Sequence, residues 1–258
     1  LPIRGDRGGA IRDAFIAEGC GDESIFLSID YSQIELRILA HLTQDEALIA
    51  SFLDNQDIHA ATAAKIFSKP IDTITSVERR RAKVFNFGVL YGLSAFGLST
   101  REGIPRNEAQ EFIDSYFEAY PAIDVWRTKT IDEARDKGYA ETLTGRRRAI
   151  PELSASNHNV RRAGERIAMN MPVQGTASDV IKIAMNNIDR ELEQSRTNGK
   201  LARIVMQIHD ELIFELPQGE LDSVRSVAAR LMPSIELVVP LVLDEAIGTN
   251  LGNLREVT

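Results

Sequence analysis

Two aspartates, Asp30 and Asp210, each stand beside a stretch that reads as a β-strand. Asp30 closes the apolar run SIFLSID, and Asp210 lies between the two apolar runs of VMQIHDELIFEL, after His209 and before Glu211. Hairpin turns favour polar residues that tolerate tight backbone conformations, so Asp210 could serve only to let the chain reverse. The alternative is that a rigid hairpin presents a carboxylate to a metal ion. The turn alone leaves both interpretations open.

The two aspartates would share a metal site if their strands are neighbours in one antiparallel sheet. They are 180 positions apart (210 minus 30), so only the fold can bring them together. Two carboxylates with few other protein ligands suit Mg²⁺, which keeps several waters and takes further ligands from substrate phosphates. Two Mg²⁺ ions about 3.5 to 4 Å apart stabilise both the attacking and the leaving oxygen of an in-line displacement. The pattern therefore predicts phosphoryl transfer, in which Glu211 either assists or begins the next strand.

A second group of candidate residues recurs every four positions in RRRAKVFNFGVLYG. Arg79, Lys83, Phe87 and Tyr91 are each rotated by about 40° from the one before, so they share one broad helix face. Two cations near the helix start, where the helix dipole is also positive, favour phosphate binding. Two aromatic rings further along offer a surface on which a base can stack. An amphipathic helix with buried aromatics is the simpler interpretation, but here cations and aromatics lie on the same side.

The chain that must position these residues has an ordinary globular composition. Of its 258 residues, 43% are hydrophobic and 26% are charged, and no apolar run is long enough to cross a bilayer. The single cysteine, Cys20, cannot form an internal disulfide. We therefore expect a soluble protein of the cytoplasm. The start LPIRGDRGGA has neither an apolar signal core nor an initiator Met, which indicates part of a longer chain.

The distribution of charge matters more than the net charge of −8. An acidic balance argues weakly against a polyanionic partner. Basic residues nevertheless cluster in ERRRAK, GRRRA and RRAGER. Each cluster alone is most simply a solvated helix face, but together they could form a basic surface on an acidic protein.

The order of predicted elements indicates an α+β fold, with strands near both ends of the chain and a helical insertion between them. A capping box, T-x-x-E from Thr75 to Glu78, predicts a helix start just before the first arginine cluster. Further helices are expected after Pro105 and up to Gly138. A hairpin should turn at Thr144 and Gly145, and two later helical stretches should be divided by Pro172.

Three of these stretches resemble the motifs A, B and C of the family A DNA polymerases, the bacterial DNA polymerase I type. They are SIDYSQIELRILAHL, RRRAKVFNFGVLYG and VMQIHDELIFEL, in that order, and the resemblance runs from LPIR through NMPVQGTASDVIK to about Gly248. It implies an antiparallel palm sheet that carries motifs A and C and a large helical fingers insertion that carries motif B. The implied division is palm over 1–60, fingers over 61–155 and palm again over 156–258.

The resemblance also implies roles for individual residues. Asp30, Asp210 and the backbone carbonyl of Tyr31 would bind two Mg²⁺ ions, and Glu211 and Lys83 join the two aspartates as catalytic residues. The nucleotide-binding residues would be Arg79, Lys83 and His59 at the triphosphate, Phe87 beside the deoxyribose, Tyr91 at the templating site and Glu35 as the gate that excludes a ribose 2′-OH. The DNA-binding residues would be Arg166, Asn170, Gln174, Gln207 and His209.

The function implied is template-directed DNA synthesis in replication and repair, with primer-template DNA and deoxynucleoside triphosphates as partners. A thumb and an exonuclease-like domain, usual in the family, are expected to be missing from this chain. Two alternatives stay open. A single-subunit RNA polymerase relative is disfavoured by Glu35, because a ribonucleotide enzyme needs room at that position. A non-catalytic nucleic-acid-binding module is disfavoured because Asp30, Asp210 and the Arg79 and Lys83 pair are all present.

Overall fold

The computed structural model describes residues 6–21, 23–90, 92 and 94–257. The helices in these ranges are α1 (Asp6–Asp13), α2 (Ile34–Thr43), α3 (Glu46–Leu53), α4 (Ile58–Ile66), α5 (Ser76–Leu90), α6 (Ala95–Glu102), α7 (Arg106–Ala119), α8 (Pro121–Lys137), α9 (His158–Asn170), α10 (Thr176–Arg196) and α11 (Leu221–Leu231). The strands are β1 (Ser24–Tyr31), β2 (Tyr139–Glu141), β3 (Arg147–Ala149), β4 (Arg203–Ile208), β5 (Glu211–Pro217), β6 (Leu243–Gly248) and β7 (Arg255–Glu256). This content confirms the predicted α+β class. In the described ranges, every helix is too short or too polar to span a lipid bilayer.

The first compact unit comprises residues 1–34, 177–236 and 240–258, and it is built on one sheet. Its strands follow the order β4, β5, β1, β6, β7, and each neighbouring pair is antiparallel. β1 is the central strand of this sheet and β5 lies beside it, and on these two strands Leu27, Ile29, Leu212 and Phe214 are fully buried. Burial on both faces explains why these strands read as continuous apolar runs rather than as alternating patterns.

Helices α10 and α11 complete this unit. In α10, Val180, Ala184, Ile188 and Leu192 are buried at every fourth position, which is the spacing of one helix face. The chain after α11 is joined to β1 because the Tyr31 hydroxyl donates a buried hydrogen bond of 2.6 Å to the Met232 carbonyl. Tyr31 is thereby held at the end of β1, directly after Asp30.

The second unit comprises residues 35–176 and 237–239 and is mainly helical. Helix α4 packs against α5 and α7, and α6 packs against α7. The buried ring of Phe85 on α5 lies 5.3 Å from that of Phe112 on α7, centroid to centroid. These contacts hold α4 and α5 together, and most of the predicted nucleotide-binding residues lie on these two helices.

The predicted boundaries of several helices are confirmed. Thr75 and Glu78 form the expected capping box: the Glu78 N–H donates to the Thr75 hydroxyl over 3.2 Å, and the Thr75 N–H donates to the Glu78 carboxylate over 2.9 Å. Helix α8 ends at Lys137 and is capped by Gly138, whose φ of 77° lies in the left-handed region that favours glycine. Gly145, at φ 87°, forms the expected turn between β2 and β3.

The segment around Pro172 differs from the expectation of a break between two helices. The two helices are α9 and α10, but they are joined by a π-helical turn, Met171–Gly175, in which Pro172 is buried. Proline has no N–H to donate to the preceding turn, and its ring clashes with an α-helical carbonyl four residues earlier. The wider π turn accommodates proline without ending the helical path.

Candidate active site

Three carboxylates lie side by side across the middle strands of the sheet. Asp30 on β1 pairs in register with Glu211 on β5 and, on its other side, with Asp244 on β6. Directly opposite residues of antiparallel strands project from the same face of a sheet. The strand register therefore brings Asp244, Asp30 and Glu211 into one row, which we call the carboxylate row. Asp210 follows the row in the turn before β5.

That turn is a two-residue hairpin loop made of His209 and Asp210, because β4 ends at Ile208 and β5 begins at Glu211. His209 has a φ of 57°, a left-handed conformation that two-residue hairpins often require and that is uncommon outside glycine. The Asp210 carbonyl accepts a hydrogen bond of 3.4 Å from the Tyr31 N–H. The hairpin tip is therefore joined to the end of β1, where Asp30 lies.

The surroundings of Asp30 in the carboxylate row disfavour its negative charge. Burial, and after it the negative charges of Asp210, Glu211 and Asp244, raise the pKa of Asp30 to about 7. One carboxylate oxygen of Asp30 is buried without a hydrogen-bond partner. Glu211, in contrast, accepts a hydrogen bond from the Ser28 hydroxyl on the neighbouring strand. A buried carboxylate oxygen with no donor and with like charges around it is suited to a cation.

The donor set fits magnesium better than a metal enclosed wholly by protein. In the chain as far as it is described, no three histidine, cysteine, aspartate or glutamate side chains converge tightly enough to enclose a metal ion. Mg²⁺ does not need such a set, since it binds through one or two carboxylates and completes its shell with waters and phosphates. Asp30 and Asp210 provide carboxylates of this kind.

A separate group of predicted residues lies on α4 and α5 in the second unit. Asp57 is the N-cap of α4 and accepts hydrogen bonds from the His59 and Ala60 N–H groups. Its other oxygen accepts a hydrogen bond of 2.5 Å from Arg79 on α5. Burial alone would raise the pKa of Asp57, but the bonds from Arg79 and the α4 backbone lower it below its ordinary value. Asp57 therefore joins the start of α4 to the cationic face of α5.

His59 is buried beside these cations. Burial, then the charge of Lys83, lowers its pKa to about 4, with Arg79 acting in the same direction and Asp57 opposing it. Its ring centroid lies 5.9 Å from that of Phe87, which is half-buried on α5. The structure thus brings His59, Arg79, Lys83 and Phe87 together. The fourth predicted position on this helix face, Tyr91, lies outside the described residues.

The remaining predicted residues fall into two sets. In the second unit, the Gln174 side-chain amide, in the π turn, donates to the Glu35 carboxylate in the first turn of α2 over 3.4 Å. Arg166 and Asn170 lie on α9, and the side-chain oxygen of Asn170 is buried without a hydrogen-bond partner. In the first unit, the Gln207 amide donates to the His209 carbonyl over 2.9 Å. Gln207 and His209 therefore share the hairpin with Asp210.

Comparison with known proteins identifies the family. The sequence profile of DNA polymerase family A matches residues 1–253. The chain belongs to DNA polymerase family A. It is 44% identical over 250 residues to DNA polymerase I of Lactococcus lactis subsp. cremoris, covering 96% of this chain and 28% of that protein. It is 45% identical over 257 residues to the thermostable DNA polymerase I of Thermus aquaticus, covering 99% of this chain and 30% of that protein.

A solved structure agrees with this family assignment. The POL domain of Pol1 from M. smegmatis, in complex with DNA primer-template and dNTP, superposes with a TM-score of 0.91 at 40% identity, covering 98% of this chain and 44% of that one. This family A chain therefore spans less than a third of the length of the two curated relatives named above, and less than half of that solved chain.

This family A chain also has a cleft that sequence reasoning missed. It has a volume of about 440 Å³ and lies within the second unit. Its lining includes Phe96, whose side chain is largely exposed, and four arginines: Arg106, Arg127, Arg162 and Arg166. The arginines come from α7, α8 and α9, so no short stretch of sequence shows the cluster. Of these four, only Arg162 and Arg166 lie in one of the basic clusters visible in the sequence, RRAGER.

Asp244 is a second feature that the sequence alone did not reveal. It lies in an apparently ordinary strand, LVLDEAI, and its proximity to Asp30 follows only from the β1 to β6 register. Two adjacent acids, Asp244 and Glu245, inside an otherwise apolar strand were the available signal, since acidic residues are depleted in strands.

Proposed function

We propose that this chain is the palm and fingers part of a template-directed DNA polymerase. The palm would comprise residues 1–60 and 156–258, and the fingers residues 61–155. The single observation that best supports this function is the carboxylate row with Asp210 beside it, in a chain that belongs to DNA polymerase family A. The relatives named above are DNA polymerases I, and one structural neighbour is in complex with primer-template and dNTP.

The proposed reaction is nucleotidyl transfer. The primer 3′-hydroxyl attacks the α-phosphate of a deoxynucleoside triphosphate, a new phosphodiester bond forms, and pyrophosphate leaves. Arg79, Lys83 and His59 would bind the triphosphate, whose negative charge suits the two cations and the N–H donor. Phe87 would contact the sugar, and Tyr91 would lie at the templating position. Glu35, held near Gln174, would close the space that a 2′-hydroxyl needs.

The proposed metal ligands are Asp30, Asp210 and the Tyr31 carbonyl, with Glu211 in support. Two Mg²⁺ ions, when bound, would stabilise the charge that develops on the attacking and leaving oxygens. The chain's own contribution is to hold the acidic side chains in register on a sheet. The raised pKa of Asp30 supports this assignment, because a bound cation would offset the burial and the repulsion that raise it.

Primer-template DNA would contact two sets of residues. Gln207 and His209 at the hairpin, with Arg166, Asn170 and Gln174, are proposed to bind the duplex near the primer end. The arginine-lined cleft around Phe96 offers cations for phosphates and an exposed ring for base stacking, so we propose that it binds single-stranded template.

Single-turnover primer extension with Mg²⁺ tests this function, in a protein extended to the length of its relatives. Asp30→Asn and Asp210→Asn should each lower the rate more than about tenfold, because each removes a proposed metal-binding carboxylate. Asp222→Asn, which changes a side chain that is 100% exposed, is the matched control and should extend normally. Activity of both active-site variants within tenfold of the unmodified protein would contradict the metal assignment. A protein that binds DNA but never extends it would be a non-catalytic module, and a preference for ribonucleotides would indicate an RNA polymerase relative.

A further inference from the structure

A chain of buried polar side chains ends at His59. The Tyr120 hydroxyl lies 3.1 Å from the Thr62 hydroxyl, and the Thr62 hydroxyl lies 3.1 Å from the Asn86 side-chain oxygen. The Asn86 side-chain nitrogen lies 3.0 Å from Nδ1 of His59. All four residues are almost completely buried, with no more than 3% of any of them exposed. We call these four residues the buried relay.

The buried relay runs between three parts of the helical unit. His59 and Thr62 are on α4, Asn86 is on α5, and Tyr120 separates α7 from α8. Buried polar groups in such a chain are costly unless every member is hydrogen-bonded, so the direction of each bond is constrained by its neighbours. The direction matters at His59, because it decides which ring nitrogen carries the proton.

One direction of donation suits a phosphate-binding histidine. Burial and the charge of Lys83 lower the pKa of His59, so the ring is neutral at pH 7. A neutral imidazole carries one N–H, and a phosphate oxygen only accepts hydrogen bonds. Nδ1 already contacts Asn86, which leaves Nε2 for a ligand. A neutral His59 can therefore donate to phosphate only if its proton is on Nε2, and then Nδ1 must accept from the Asn86 amide.

The donor and acceptor positions of the rest of the buried relay agree with this direction. If the Asn86 nitrogen donates to His59, the Asn86 oxygen must accept from the single Thr62 proton, and Tyr120 then donates to the Thr62 oxygen. The Thr62 hydroxyl also donates to the Ile58 carbonyl over 2.7 Å, so its single proton is shared between that carbonyl and the Asn86 oxygen. That carbonyl has two lone pairs, one for the backbone N–H of Thr62 and one for the shared proton, so sharing leaves the Asn86 oxygen facing Thr62 and the Asn86 nitrogen facing His59.

We propose that Asn86 is a positioning residue that fixes His59 as the Nε2–H tautomer, with Thr62 and Tyr120 orienting its amide. The neutral ring then has an N–H available for a triphosphate oxygen bound beside the cations Arg79 and Lys83; this last part rests on the proposed function. The reversed relay, in which the Asn86 oxygen accepts from Nδ1–H, would leave Nε2 as an acceptor that repels phosphate.

The tautomer can be measured directly by ¹⁵N NMR of the whole chain with labelled histidine. The chain has four histidines, and the signal of His59 is identified by its loss in His59→Gln. At pH 7 and without nucleotide, we expect the nitrogen shifts of a neutral ring protonated on Nε2. A neutral ring protonated on Nδ1 would overturn the proposal.

A substitution at Asn86 tests the cause. Asn86→Asp keeps the shape of the side chain but can only accept, so we expect Nδ1 to become protonated and the pKa of His59 to rise by about one to three pH units. Asn198→Asp makes the same change in an exposed loop and is the control, with no expected effect on His59. If Asn86→Asp does not fold, Tyr120→Phe is the second variant, which removes only the far donor and should give a mixture of tautomers. Shifts that stay unchanged in a folded variant would overturn the proposal.

Addition of dATP with Mg²⁺ separates this inference from the proposed function. We expect the His59 Nε2 signal to move on titration in the unmodified chain. In Asn86→Asp, the dissociation constant for dATP should rise together with the change of tautomer, because Nε2 is then an acceptor that repels phosphate. An Nε2–H tautomer that never responds to dATP would overturn the ligand-binding part of the proposal, while the tautomer measurement would still support the role of Asn86.

Discussion

At the scale of single residues, Asp30 should make the stability of the chain depend on pH. Its pKa rises from 3.8 to about 7 on folding, so between these values the folded chain holds a proton that the unfolded chain has released. Stability from this group is therefore greatest at low pH and falls as the pH rises toward 7. We expect Asp30→Asn to raise the melting temperature at pH 8, without divalent cations, by about 2 to 4 °C, and hardly at all at pH 4. Circular dichroism melts at both pH values measure this, and equal effects at the two would contradict it.

Glu35 gives a second prediction at the residue scale. Its carboxylate accepts from the Gln174 amide in the π turn, which holds the side chain in place. Truncation in Glu35→Ala should open space beneath the sugar and raise the ratio of kcat/KM for ribonucleotides over deoxyribonucleotides by about tenfold. Glu35→Gln keeps the volume and should leave the ratio nearly unchanged. If the two variants discriminate equally, Glu35 is not the gate.

At the scale of elements, helix α5 depends on its first turn. Thr75 caps the helix by accepting from the Glu78 N–H, and the Glu78 carboxylate also pairs with Lys69 over 2.5 Å. Thr75→Ala should lower the free energy of unfolding by about 1 kcal/mol, because it removes the cap and leaves a backbone N–H without its partner. Thr100→Ala removes an exposed hydroxyl that bonds within α6 and is the control. Urea unfolding compares the two, and equal losses would show that the capping box adds nothing specific.

Elements marked by strong local chemistry could be predicted from the sequence, and weakly marked ones could not. The capping box acts through local hydrogen bonds, Pro105 through its ring, and Gly138 and Gly145 by tolerating a positive φ, and the corresponding boundaries are confirmed. Helices α3 and α6 have only eight residues each, too few for a periodic pattern to stand out. Their caps, Asp45 and Ser94, were the available signals.

At the scale of the whole molecule, the pairing of distant strands and helices decides which residues become neighbours. Sequence spacing alone does not reveal these groupings. Motifs A and C predicted that Asp30 and Asp210 would meet on one sheet, and the antiparallel pairing of β1 with β5 brings their strand ends together. Asp244 and the grouping of four arginines around the cleft were missed, because the residues of each group come from several elements. Local sequence carries propensity and capping, whereas these groupings depend on which strands and helices become neighbours.

The net charge of −8 should limit how tightly this chain alone binds DNA. Phosphate contacts supply most non-specific affinity, but several arginines are already paired with acids, among them Arg147 with Glu141 at 2.5 Å and Arg135 with Glu165 at 3.3 Å. Few counterions should therefore be released, so we expect weak binding to a primer-template and a shallow dependence of log K on log salt concentration.

Fluorescence anisotropy across salt concentrations, with a primer-template that carries a single-stranded 5′ overhang, measures both affinity and slope. Arg106→Ala removes a cation from the cleft, so it should weaken binding and reduce the magnitude of the salt slope by about 0.7, the value for one single-strand phosphate contact. Arg230→Ala removes an exposed arginine that is bonded to Glu191 at 2.5 Å and should change neither. Equal effects of the two variants would mean that only total charge matters. Tight binding at physiological salt by the unmodified chain would mean that its local basic clusters outweigh its overall negative charge.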